Sequence, residues 1–213
     1  MKNLVIIGAG GFGREICAAA REACGYGTVF GVKGFLDADP GALARFSGYP
    51  PVVGAPETYA PEPDDVFIVA IGNMAVRMRI ADMIGKRGGR FIPVVHRSAS
   101  LGPGVTVGEG SFVSHNAVLT VDVRVGRHAC IFQGSVLGHD SSVGDFGMVY
   151  SLCSIGGGVC IGSGAAVYPG SRIAPRRKVG DRAVVGIGSV VLLDVPAGTT
   201  VFGNPAAPAD IPA

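Results

Sequence analysis

From Val95 onward the chain places an aliphatic residue at every sixth position: Val95, Leu101, Val107, Val113, Leu119, Val125, Ile131, Leu137, Val143, Val149, Ile155, Ile161, Val167, Ile173, Val179, Val185 and Val191. The next position is often glycine (Gly102, Gly108, Gly126, Gly138, Gly144, Gly156, Gly162, Gly180, Gly186). The fourth position after each aliphatic is usually small or valine, as at Ser111, Ala117, Ala129, Ser135, Ser141, Gly147, Cys153, Ala165, Ser171, Ala183 and Ser189. A period of six suits neither a helix of 3.6 residues per turn nor a long strand of period two. It predicts short strands joined by sharp corners, with the aliphatic facing a narrow core and the small residue fitting where the chain bends. Three such strands close one triangular coil of 18 residues, and stacked coils bury one another's faces as a solenoid.

The first ninety or so residues follow another pattern. "NLVIIGAGGFGREICAAAREA" reads as a buried strand, a glycine-rich turn and a helix with Ile16, Ala20 and Ala23 in spacing. Further strands are expected in "FGVKGFLDAD", "PPVVGAP" and "DVFIVAIGN", then a helix in "MAVRMRIADMIGKRGG". This order predicts a small α/β unit on a parallel sheet. Gly8, Gly10 and Gly13 satisfy G-x-G-x-x-G between strand and helix, which lets backbone approach a phosphate at the helix N-terminus. Asp37 lies where a dinucleotide-binding domain holds a ribose. The fingerprint alone therefore admits NAD. The unit lacks the second mononucleotide half that seats a nicotinamide, so a mononucleotide fits better. The expected domains are 1–92, a small α/β nucleotide-binding unit, and 93–213, the solenoid with a C-terminal tail.

Composition narrows the function classes. The formal net charge is +2, which offers no electrostatic footprint for nucleic acid or an anionic membrane, and neither partner is expected. The N-terminal apolar run is short and breaks into glycines, so it reads as a strand rather than a signal peptide. No apolar stretch approaches the roughly 20 residues a membrane helix needs. Five cysteines without a CxxC pair indicate neither a disulfide framework nor a zinc knuckle, and the expected compartment is the cytoplasm.

"GAGGFGRE" (8–15), "GFLDAD" (34–39), "VAIGN" (69–73), "GHD" (138–140) and "DVPAGTTVFGNPA" (194–206) together resemble the sialic acid O-acetyltransferase and nucleotide-sugar 4-amino-sugar N-acetyltransferase family. These are hexapeptide-repeat acyltransferases with a Rossmann-like N-terminal half-domain ahead of a left-handed parallel β-helix. The handedness comes from the resemblance, because ordinary crossovers favour the right hand. The resemblance implies an acetyl-CoA-dependent N-acetyltransferase acting on a nucleotide-linked 4-amino-4-deoxy sugar in bacterial surface glycan biosynthesis, assembled as a homotrimer. It implies substrate contacts at Gly10, Gly11, Phe12, Asp37, Ala38, Gly72 and Asn73. Phe12 departs from some relatives, which carry a histidine facing the sugar phosphates there. Coenzyme A is expected along the later coils near Met148, Gly157 and Pro169, with Arg176, Arg177 and Lys178 near its phosphates.

In "SVLGHDSSVGDF", His139 and Asp140 interrupt a plain background. Transfer of an acetyl group from a thioester to an amine requires a base for the amine proton, and an imidazole of pKa near 6.5 suits that work. An adjacent carboxylate fixes its tautomer, so His139 is the expected general base and Asp140 its orienting partner. His139 follows the inward Leu137 by two residues and should point outward. The zinc hydrolyases that share this β-helix need three converging histidines. His115 and His139 are 24 residues apart and do not stack in a column, so no metal is expected. The remaining alternatives are a sugar O-acetyltransferase on the same fold, an NAD-dependent oxidoreductase and a non-catalytic sugar-nucleotide-binding scaffold.

Overall fold

A computed structural model describes residues 1–209 of the chain. It forms two compact units, Met1–Arg97 and a second that begins at Ser98.

The first unit is built on β1 (Lys2–Ile7), α1 (Gly11–Arg21), β2 (Phe30–Leu36), β3 (Val52–Gly54), β4 (Asp65–Val69), α2 (Met74–Lys86) and β5 (Arg90–Phe91). The strands form a parallel sheet in the order β3-β2-β1-β4-β5. Leu4–Ile7 and Val66–Val69 are buried throughout, as expected for strands covered on both faces. Helix α1 buries Ile16, Cys17, Ala19 and Ala20. It packs tightly because Gly13 has no side chain: a Cβ there would collide with the Gly8 carbonyl. Gly8 itself has φ +105°, which only glycine adopts readily. A network at the opposite end of the sheet ties β2 to β4. Lys33 Nζ donates to Tyr59 Oη and Asp65 Oδ1, both at 2.9 Å, and Tyr59 Oη donates to Asp65 Oδ2 at 2.6 Å.

In the second unit the strands pair in parallel with those 18 residues away, except at the last coil, where Val185 meets Val201 and Thr200–Phe202 pairs antiparallel with Ala207–Pro208. Leu119 lies beside Leu137, Leu137 beside Ile155, and Ile155 beside Ile173, which meets Val191. The second face runs through Val107, Val125, Val143, Ile161 and Val179. The third runs through Val113, Ile131, Val149, Val167, Val185 and Val201. The six-residue aliphatics from Val113 to Val191 are all buried. Leu101 and Val107 are not, because their strands are the first-coil edges of their sheets. Where glycine follows the aliphatic it also has a packing cause. A Cβ at Gly126, Gly138, Gly144 or Gly156 would stand 2.6–2.7 Å from a backbone nitrogen of the next coil.

From Leu101 to Val185 the third residue after each aliphatic turns the corner with positive φ. Glycine fills many of these positions, while Asn116, Asp122, His128, Asp140, Phe146, Leu152, Arg176 and Arg182 hold φ values of 54–60°. Outside one corner Phe132, Tyr150 and Tyr168 stack in a ladder, with centroids 5.1 and 4.9 Å apart. Tyr150 Oη reaches Met148 Sδ at 3.6 Å, so the ladder folds over the third face. Burial pushes the Cys153 thiol up to about 11 despite backbone and Ser135 hydrogen bonds that pull the other way, which leaves it a packing residue.

Candidate active site

His139 sits at the second position of a tight turn that Ser141 N closes onto Gly138 O at 3.3 Å. Neighbouring coils fix this turn from both sides. Asp140 N donates to Val121 O at 3.0 Å, and Gly158 N donates to His139 O at 2.7 Å. Asp140 has φ +60°, a conformation that its short polar side chain tolerates better than most. Its Oδ2 lies 2.7 Å from His139 Nδ1. With the proton of the neutral ring on Nδ1 and donated to Asp140, the lone pair sits on Nε2. Both side chains are exposed, 72% and 66%, so the ring is open to a reactant. The imidazole lies over Gly157 of the next coil, where a side chain would strike it.

Arg176 continues the same corner, its N–H donating to Gly157 O at 2.9 Å and its side chain passing over Gly158. Two coils separate it from Asp140, a rise of roughly 10 Å at the usual strand spacing. Arg177 and Lys178 follow it. Lys178 N donates to Asp194 Oδ1, and the Arg177 guanidinium lies 3.7 Å from the same oxygen. Pro169 stands at a different corner, after Tyr168 on the third face, and Met148 is only 5% exposed beneath the aromatic ladder. Within one chain, then, His139, Asp140, Gly157 and Arg176 share a corner, while Met148 and Pro169 do not join them.

The substrate residues expected in the first unit gather at the carboxyl ends of three adjacent strands, where parallel α/β sheets bind ligands. Gly10, Gly11 and Phe12 follow β1, Asp37 and Ala38 follow β2, and Gly72 and Asn73 follow β4. Asp37 ties two of these loops together: Ala9 N donates to its Oδ2 at 2.8 Å and Asp39 N to its Oδ1 at 3.0 Å. A Cβ on Gly10 or Gly72 would meet nothing within 4 Å, so backbone is open to a ligand at both points. Asn73 caps α2, its Oδ1 accepting from Val76 N at 3.1 Å, which turns its amide NH2 outward. Gly10 caps α1 without a side chain, and no acidic residue stands in that helix's first turn. The N–H groups there are a natural seat for phosphate.

His115 and His139 stand at different corners, and His128 stacks on Phe146 at 4.8 Å. Among the described residues no group of three or more His, Cys, Asp or Glu is placed to hold a metal ion. Sequence reasoning passed over the fit of His139 onto Gly157, although an 18-residue step from His139 lands on that glycine. It also missed the Phe132–Tyr150–Tyr168 ladder, which the same step reveals.

Residues 3–84 match the PglD N-terminal domain family. The chain is 31% identical over 115 residues to UDP-N-acetylbacillosamine N-acetyltransferase of Bacillus subtilis, covering 53% of this chain and 51% of that protein. It is 31% identical over 149 residues to GDP-perosamine N-acetyltransferase of Escherichia coli O157:H7, covering 66% and 64%. The chain thus spans about half and just under two thirds of these two relatives. Solved structures match over nearly their full length. A variant of perosamine N-acetyltransferase from Caulobacter crescentus, in complex with CoA and GDP-perosamine, superposes with a TM-score of 0.88 at 28% identity, over 99% of this chain and 98% of that one. The acetyltransferase domain of PglB from Neisseria gonorrhoeae does so with a TM-score of 0.88 at 27% identity, over 98% and 100%. The solenoid is therefore a left-handed β-helix of the acyltransferase type. The agreement runs through both units and not through one alone, and the chain as a whole is similar to the nucleotide-sugar 4-amino-sugar N-acetyltransferases.

Proposed function

We propose that this protein transfers the acetyl group of acetyl-CoA to the 4-amino group of a nucleotide-linked 4-amino-4-deoxy sugar. The observation that carries this reading is the His139 Nδ1 to Asp140 Oδ2 contact of 2.7 Å, which leaves the lone pair on Nε2 of an exposed ring, at the corner it shares with Arg176 two coils on. The neutral amine attacks the thioester carbonyl carbon and forms the C–N bond. As the tetrahedral oxyanion develops, Nε2 takes the proton leaving the nitrogen, and Asp140 stabilises the imidazolium. Collapse breaks the C–S bond, and the departing CoA thiolate recovers the proton from His139. Protein groups supply both proton steps, and the reaction needs no metal.

The nucleotide is held by the loops at Gly10–Phe12, Asp37–Ala38 and Gly72–Asn73. Coenzyme A is held along the later coils near Gly157, Pro169 and Met148, with its phosphates facing Arg176, Arg177 and Lys178. The working form is a homotrimer of three 21.6 kDa chains, with coenzyme A in the groove between subunits. No helix among the described residues is long and apolar enough to cross a membrane. The place of action is the cytoplasm, and the product feeds a bacterial surface glycan. Relatives named for UDP- and GDP-linked amino sugars support the substrate class. The deciding experiment incubates the protein with acetyl-CoA and UDP-, GDP-, dTDP- or CMP-linked amino sugars and follows thiol release. One amino-sugar nucleotide should drive turnover and gain an amide. Turnover only with an amine-free sugar would instead indicate O-acetylation.

A further inference from the structure

The nucleotide reading above, on which this inference rests, leaves one charged group without a role. Arg14 lies in the first turns of α1; its side chain makes no hydrogen bond or ion pair among the described residues, and its Nε is buried without a partner. The centre of its guanidinium stands 3.4 Å from the centroid of the Phe46 ring, in the segment between β2 and β3. Arg45 approaches the same ring at 5.2 Å. The Arg14 side chain bends back toward the glycine turn, and one terminal nitrogen comes within 3.9 Å of the point a Cβ on Gly11 would occupy.

A helix N-terminus repels cations, so a half-buried arginine there without a carboxylate is poorly placed by the protein's own charges. An anion from outside would reverse that balance. The carboxylate at the end of β2, Asp37, already accepts from Ala9 N and Asp39 N. Phe46 takes one flat face of the guanidinium and fixes its plane, leaving the in-plane N–H donors in the fork geometry that suits a phosphate. Two anion-seeking elements therefore stand side by side, the N–H groups after Gly10 and the Arg14 guanidinium.

We propose that Arg14, set in place by Phe46, binds the second phosphate of a nucleoside diphosphate whose first phosphate rests on the Gly10–Gly11 turn, so that this chain selects nucleoside diphosphate sugars over nucleoside monophosphate sugars. Phe46 is a positioning residue and touches no ligand.

Isothermal titration of the full chain with UDP, GDP, UMP and GMP tests this. At least one diphosphate should bind about tenfold or more tightly than its monophosphate, and Arg14→Gln should erase the difference by weakening the diphosphate about 10–100-fold. Monophosphate binding should stay within about threefold of wild type. Arg14→Lys, which keeps the charge and loses the fork, should fall between, and Phe46→Leu should act in the same direction more weakly; both serve if Arg14→Gln does not fold. Equal losses for mono- and diphosphate, or no loss, overturn the role of Arg14 and leave the nucleotide reading standing. A wild-type protein that binds none of the four removes that reading and this inference with it.

Discussion

The imidazole of His139 occupies the space in which a side chain at position 157 would stand: a Cβ on Gly157 would lie 2.5 Å from Nε2 and 2.8 Å from Cε1. The two residues are one coil apart at the same corner. Glycine at 157 is therefore part of how the imidazole is aimed, and Gly157→Ala must push the ring aside. We expect kcat to fall roughly 100-fold, the scale of a misplacement of about 1 Å at a reacting group. Steady-state kinetics on the single variants and on His139→Ala/Gly157→Ala should show strong non-additivity, the double variant resembling His139→Ala alone. Additive losses would mean that Gly157 acts independently of the ring.

Replacing His139 by Ala or Asn should lower kcat by roughly 10²–10⁴-fold with little change in sugar-nucleotide affinity. Asp140→Asn should cost less, and it is the cleaner probe because asparagine also tolerates φ near +60°. Asp140→Ala combines loss of the carboxylate with backbone strain of about 1 kcal/mol, which thermal denaturation will detect. Near-full turnover by His139→Ala on the true acceptor would assign the proton to another group.

Asp37 accepts from the glycine turn and from its own loop, so Asp37→Ala should loosen the phosphate seat as well as remove a ligand group. A loss of roughly 1.5–3 kcal/mol in sugar-nucleotide binding is expected by titration calorimetry. NAD and NADP should give no heat in the same assay. Tight NAD binding abolished by Asp37→Ala would reassign the first unit as a dinucleotide site.

The Lys33–Tyr59–Asp65 network should govern the acid stability of the first unit. Burial alone would raise Asp65, but hydrogen bonds from Tyr59, Lys33 and the Glu62 N–H outweigh it and hold the carboxyl below its usual range. A depressed carboxyl stabilises the fold above the unfolded carboxylate pKa of about 3.9 and loses that contribution as pH falls through its lower folded value. Burial also pulls against Lys33, and its hydrogen bonds to Tyr59, Asp65 and Glu62 hold it above its usual value, so its contribution persists until strongly alkaline pH. Asp65→Asn leaves Lys33 unbalanced and should cost on the order of 3 kcal/mol at pH 7. Urea denaturation at pH 7 and pH 3 should show the difference shrinking in acid; a gap of equal size at both would remove the charge pair as its cause.

The solenoid was legible because its signal is one-dimensional. A period of six states which side chain is inside, and Val113 through Val191 obey it without exception. Leu101 and Val107 escape because burial needs a neighbouring coil, and a repeat pattern does not mark where its stack ends. His139 was legible as a polar interruption of that pattern. The positive-φ corners were harder to see, since Phe146, Leu152, Arg176 and Arg182 stand where glycine is expected. Arg14 over Phe46, and Lys33 beside Tyr59 and Asp65, were not legible at all. These contacts join residues 26 to 32 apart in an irregular α/β unit where no fixed step connects them.

The aromatic ladder outside the third face has a consequence for how the chain finds its register. A sequence that repeats every 18 residues can skip a coil during folding and still place aliphatics inside and glycines at the corners. The inward pattern does not penalise such a slip. Phe132, Tyr150 and Tyr168 do, because each ring stacks only when the coils between are all present, and each stacked pair is worth about 0.5–1.5 kcal/mol beyond its buried area. The row also has a fixed upper end, since Gly186 lacks the side chain that would block the Phe202 ring. The rings thus act as tally marks on an otherwise uniform ruler, and removing the Tyr150 ring should yield a slower-folding, more aggregation-prone chain whose His139 corner, once formed, is unaltered.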